Sequence, residues 1–149
     1  ALEVYRVSTP EGGRAERDFA WQALGKALSD VLGGEVAVSE LLARRRHPRN
    51  LRTQTGTQPP VVTLSNTESD FYTIVDVAAD DHVGLLYSLT EVIAGYGLEV
   101  YISKAATVLD QVTDTFYVKD AAGGKLRDAA LLSALQADLL AAARGRAGG

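Results

Sequence analysis

The sequence predicts an α+β fold: a four-stranded antiparallel sheet with two helices on one face, preceded by part of a second such unit. Three observations predict it. Four β-branched and aromatic runs fall into two hairpins. Two stretches repeat apolar residues at helical spacing, one between the hairpins and one after them. A strand, a double-glycine turn and a helix also occur twice along the chain, which marks tandem modules.

The first hairpin is Val61-Val62-Thr63-Leu64 and Phe71-Tyr72-Thr73-Ile74-Val75-Asp76-Val77, joined by a polar run from Ser65 to Asp70. Leu85, Leu86, Leu89, Val92, Ile93 and Tyr96 then recur at helical spacing from Gly84 onward, and Gly95 and Gly97 end that helix. Leu98 to Val108 and Val112 to Val118 form the second hairpin across Leu109-Asp110-Gln111. Leu126, Leu131, Leu132, Leu135, Leu139 and Leu140 mark an amphipathic helix that stops near Gly145. No strand follows it. Val61 to Ser65, antiparallel to Phe71 to Val77, is therefore expected to supply the edge strand that completes the sheet.

The N-terminal stretch repeats the end of this unit. Val7 falls on Val118, Gly12-Gly13 on Gly123-Gly124, Leu24 on Leu135 and Leu28 on Leu139. Residues 1–44 thus read as the strand and helix that close a first repeat, with Trp21 a packing anchor on the helix face. The opening half of that repeat is missing, either cut off at Ala1 or supplied from elsewhere. A lone strand from Leu2 to Val7 must pair with another sheet, because unpaired backbone edges are rarely tolerated. Residues 45–60 have no apolar periodicity, carry Pro48, Pro59 and Pro60, and read as a linker. Residues 61–149 form the complete domain.

Composition narrows function. The chain has 149 residues, 46% hydrophobic and 23% charged, enough to bury a core. It lacks an apolar run long enough to span a bilayer and shows no secretory signal pattern, so a cytoplasmic setting without membrane contact is expected. Without cysteine there is no disulfide or thiol chemistry, and two histidines cannot build a histidine-rich metal site. Net charge is −4, yet Arg44, Arg45, Arg46, Arg49 and Arg52 cluster without an intervening acid. This cluster has no aromatic residue and reads as the polar end of a helix entering the linker rather than a nucleic-acid face.

No catalytic constellation emerges. Asp80-Asp81-His82 is adjacent rather than spaced for one metal ion. Gly12-Gly13 and Gly123-Gly124 lack the lysine and hydroxyl of a phosphate-binding loop and read as strand-to-helix turns. No Gly-x-Ser-x-Gly elbow occurs.

Ala79-Asp80-Asp81-His82-Val83-Gly84-Leu85-Leu86, at a strand-to-helix junction, resembles the signature loop of ACT domains, ferredoxin-like modules that sense amino acids. Ala106-Thr107, the run from Asp114 to Asp120, and Leu42-Ala43-Arg44-Arg45-Arg46 before Pro59-Pro60 narrow the resemblance. They are similar to the C-terminal tandem ACT region of the bifunctional uridylyltransferase/uridylyl-removing family, which modifies the PII nitrogen-signalling protein. His82-Val83 departs from the Arg-Pro that the family favours before the glycine.

The resemblance implies a regulatory role without an active site, since no Asp-x-Asp occurs and neither His47 nor His82 precedes Asp. It implies a free amino acid, glutamine in this family, as effector, and no cofactor. The implied partners are the catalytic domains of the parent enzyme, PII through that enzyme, and a second copy paired through the ACT sheets or helices.

The loop suits such a ligand physically. A helix's first turn presents unpaired N–H groups and a positive dipole end to a carboxylate. Gly84 permits close backbone approach, Asp81 can accept from an ammonium, and His82 adds a donor or acceptor. The expected site is Asp81, His82, Val83, Gly84 and Leu85, with Ser103 and Thr107 on the following strand, and Lys104 on an exposed face. Three rival readings remain. One is a ligand-free assembly module, another an amino-acid sensor of a different metabolic enzyme. The third is RNA binding on the sheet face, which acidic Asp76 and Asp114 oppose.

Overall fold

In the computed structural model the described residues are 18–45, 59–108 and 111–145. The expected strand from Leu2 to Val7, the Gly12-Gly13 turn and most of the linker lie outside them. The chain divides into two units, Ala1–His47 and Pro48–Gly149.

The first unit contributes α1 (Asp18–Leu32) and α2 (Val38–Arg45). Trp21, Leu24, Leu28 and Leu32 fall on one stripe of α1, and all are about half exposed or more. Helix α1 ends at Gly33-Gly34: the Gly33 amide donates to the Ser29 carbonyl at 2.8 Å, and Gly34 takes φ 75°. Only a residue tolerant of the left-handed region stops a helix this way at low cost. Helix α2 carries the start of the arginine cluster, and Arg44 pairs with Glu40 one turn back at 2.7 Å.

The second unit runs β1 (Val61–Ser65), β2 (Thr73–Asp80), α3 (Leu85–Gly95), β3 (Glu99–Val108), β4 (Gln111–Lys119) and α4 (Ala129–Ala143). Its strands form one antiparallel sheet in the order β1-β2-β4-β3. This is the expected four-stranded α+β arrangement, ferredoxin-like in layout. β1 takes the edge beside β2, with Val62 opposite Val77 and Leu64 opposite Val75.

Period-two alternation decides which face is covered. Val75 and Val77 of β2, and Val112, Phe116 and Val118 of β4, share one face and are almost wholly buried. Against them pack Leu85, Leu89 and Ile93 of α3 and Leu135 and Leu139 of α4 in a single core. Tyr96, at the end of α3, donates to Asp138 of α4 at 2.7 Å, which raises its phenol pKa. The Gln136 amide donates to the Val62 carbonyl at 2.7 Å, tying α4 to the edge strand.

Two boundaries differ from the sequence reading. Phe71 stands in the turn before β2 and is 70% exposed, because the Ser69 hydroxyl accepts from the Phe71 and Tyr72 amides at 3.2 Å each. That bonding closes a serine turn in place of ladder pairing. Leu126 is buried but precedes the last helix, which starts where Asp128 caps the Ala130 and Leu131 amides.

Candidate functional site

Asp80 ends β2 opposite Gln111, and the chain then runs through Asp81, His82, Val83 and Gly84 into α3. Gly84 is the N-cap, with φ 88° and ψ 5°. A side chain at that φ would be strained, which explains glycine there. With no Cβ substituent, this cap supplies no hydrogen bond to the first turn. The Leu85 amide donates to the His82 carbonyl at 3.1 Å and the Ser88 amide to the Gly84 carbonyl at 2.9 Å. The intervening amides, of Leu86 and Tyr87, receive no side-chain cap.

Around this helix start the predicted residues separate into groups. Asp81 is exposed and Val83 is 53% exposed, while Leu85 is buried in the core. His82 is turned aside. Its Nδ1 lies 3.2 Å from the Asp80 carbonyl, and its Nε2 would stand 3.5 Å from a Cβ on Gly145, just past α4. The histidine ring therefore lies close to the end of α4. Thr107 pairs with Val112, which pairs in turn with Ala79, so the backbone of Thr107 shares the loop's end of the sheet. Ser103 pairs with Phe116 at the middle of the sheet, away from that end. Lys104 is exposed, with Nζ 3.2 Å from the Tyr117 hydroxyl.

Sequence reading treats Asp114 only as an acidic strand residue. In the structure it stands on the helix-covered face, in register with Val77 and Ala105. It is 2% exposed, and its Oδ1 has no hydrogen-bond partner. Burial, and secondarily the charge of Asp81, push its carboxyl above the usual carboxylate range. Strand parity carried the signal, since Asp114 occupies the same alternation as Val112, Phe116 and Val118.

The Gly123-Gly124 turn is closed on itself. Asp120 Oδ1 accepts from the Ala122 and Gly124 amides at 3.0 and 2.8 Å, leaving those donors committed. The sheet face opposite the helices groups Tyr72, Tyr101 and Tyr117, with Lys119 over the first two rings and Lys104 over the third. Asp76 on that face accepts from Thr115 at 2.6 Å. Among the described residues no three His, Asp or Glu side chains converge on a metal-sized site, and no helix is long and apolar enough to cross a membrane.

No protein-family model matches this chain. Curated proteins do. The chain is 33% identical over 144 residues to a bifunctional uridylyltransferase/uridylyl-removing enzyme of Rhodospirillum rubrum, covering 95% of this chain and 15% of that protein. It is 32% identical over 141 residues to the enzyme of the same name from Azospirillum brasilense, covering 94% and 15%. With that from Bradyrhizobium diazoefficiens it shares 35% over 135 residues, covering 88% and 14%. The chain thus spans about 15% of the length of the curated relatives it matches. Over nearly its whole length, this chain is a homologue of one segment of the bifunctional uridylyltransferase/uridylyl-removing enzymes.

Proposed function

We propose that this chain is the amino-acid-sensing, ACT-type regulatory part of a uridylyltransferase/uridylyl-removing enzyme, with glutamine as its effector. The observation that carries this is the start of α3: a glycine-capped helix whose first-turn amides lack a side-chain cap, entered through a loop that presents Asp81. A free amino acid offers the complementary pair of charges. Its carboxylate meets the helix amides and dipole, and its ammonium meets Asp81.

On this reading uridylyl transfer and removal belong to other domains of the parent protein, which act on PII, in the cytoplasm. Effector binding changes the relative arrangement of neighbouring modules. It shifts the enzyme only by its differential affinity for two states, about 1–3 kcal/mol for typical coupling. Residues 1–44 belong to a first repeat, and 45–60 link it to a second at 61–149. Ser103 is in register with Phe116 at the middle of the sheet, a position that suits a ligand shared with a neighbouring module.

A second reading has one observation in its favour. Among the described residues the outer edge of β3 is unpaired, and residues 99–106 are exposed on both faces of the strand. A bare edge of that length invites another strand, so the module could assemble in pairs without any ligand.

A thermal-shift screen of the twenty amino acids, followed by calorimetric titration, separates the two. A ligand at 100 times its dissociation constant adds about 2.7 kcal/mol to native stability. Stabilisation by glutamine that is lost in Asp81→Ala supports the sensor. A dimer mass indifferent to every amino acid supports assembly alone.

A further inference from the structure

Asp114 lies outside the signature loop, and nothing in the packing of the sheet calls for a charge there. Its cross-strand neighbours are Val77 and Ala105, and the next residues on its own face of β4 are Val112 and Phe116. None of them offers a proton. Oδ1 is buried without a donor, and the charge of Asp81 adds to the disfavour of ionisation. A buried carboxylate oxygen without a donor works against folding, and such groups mark candidate binding sites. Its cover is thinnest toward β3, where the side chain in register is only the exposed methyl of Ala105.

We propose that Asp114 is a ligand-binding residue that, together with Asp81, receives the primary ammonium group of the effector amino acid. The proposal rests on the amino-acid reading of the loop and adds to it a contact from a different strand. An ammonium carries three donors, enough to address both carboxylates at once, and it cancels their mutual repulsion. With the ammonium fixed between Asp81 and Asp114, the ligand's carboxylate turns toward the uncapped first turn of α3. The site then selects zwitterions, and analogues lacking the amino group lose the main polar attachment.

The test uses the full 149-residue chain and two probes, L-glutamine and glutaramic acid, which is glutamine without its α-amino group. Wild-type protein is expected to bind glutamine and to bind glutaramic acid at least tenfold more weakly. Asp114→Asn is expected to weaken glutamine by about tenfold to a hundredfold, the usual worth of a hydrogen bond to a charged group, and to narrow the difference between the probes. Carboxyl-carbon NMR of the wild type provides a readout independent of any variant. Glutamine should shift the titration of the Asp114 resonance to lower pH, and glutaramic acid should leave that titration in place.

Undiminished glutamine binding by Asp114→Asn, with an unmoved Asp114 titration, overturns this proposal and leaves the loop reading standing. Failure of the wild-type chain to bind glutamine removes the loop reading and this proposal together.

Discussion

Replacing Thr73 by valine tests whether the β1–β2 hairpin is built into the domain or merely laid along its edge. The Thr73 side chain is fully buried. Its hydroxyl donates to Asn66 Oδ1 at 2.7 Å and accepts from the Leu126 amide at 3.0 Å. Asn66 Nδ2 in turn donates to the Leu126 carbonyl at 2.7 Å, and Lys125 Nζ donates to the carbonyls of Asn66 and Ser69 at 2.9 and 2.8 Å. One hydroxyl thus joins the first turn of the domain to the segment that leads into α4.

Thr73→Val keeps the shape and removes both bonds. The Leu126 amide, buried, loses its acceptor and should cost about 1–3 kcal/mol. Asn66, half-buried, recovers water and adds less, so the expected loss is about 2–3 kcal/mol. Urea unfolding followed by far-UV circular dichroism measures it. Tryptophan fluorescence does not serve, because the one tryptophan, Trp21, belongs to the other unit. In a double-mutant cycle with Asn66→Ala, the pair should show a coupling of about 1 kcal/mol. A loss within about 0.5 kcal/mol, the range of ordinary surface substitutions, together with zero coupling would refute the claim that this network holds the hairpin.

Three further outcomes follow from single contacts. Gly84→Ala places a Cβ at φ 88° and should destabilise by about 1–2 kcal/mol, read as a lowered urea midpoint. Asp128→Ala removes the cap on the Ala130 and Leu131 amides and should cost about 0.5–2 kcal/mol by the same measurement. Asp114 gives a pH signature whose sign is fixed. Its folded pKa lies above the unfolded value of 3.8, so the native state holds its proton more tightly. As pH rises from there through the folded pKa, wild type should lose stability relative to Asp114→Asn, and the difference should then level off. Paired urea titrations between acid and neutral pH give the sign, and a wild type that gains on the variant over that range contradicts it.

The parts of the fold that were legible in sequence are those that alternation fixes locally. Val75, Val77, Phe116 and Val118 announce their face by period, and Leu85, Leu89 and Ile93 announce theirs by helical spacing. Gly84 was legible because a helix start after a strand needs a backbone that turns sharply. Phe71 and Leu126 misled because long-range or side-chain bonds overrode their local pattern: Ser69 captured the Phe71 amide, and Thr73 captured that of Leu126. The site was half legible. A loop motif names Asp81 and Gly84, but a lone aspartate among valines on a strand reads as solvent-facing until parity is applied strictly. For His82 the sequence offers its chemistry but not its surroundings: that its ring lies close to Gly145 depends on contacts across the fold.

Gly84 and Asp114 allow folding to be separated from binding, since their substitutions should move stability in opposite directions. Gly84→Ala strains the backbone and lowers it. Asp114→Asn removes a buried carboxyl group whose Oδ1 lacks a donor, and should leave the free protein as stable as wild type or more so near neutral pH. If both weaken amino-acid binding, the loss cannot be charged to a general weakening of the domain, because one variant binds worse without folding worse. A purely structural Asp114 predicts the reverse pattern, with lower stability in the Asn variant and unchanged affinity. The sign of the stability change, measured without any ligand, therefore distinguishes a residue kept for the fold from one kept for what the fold binds.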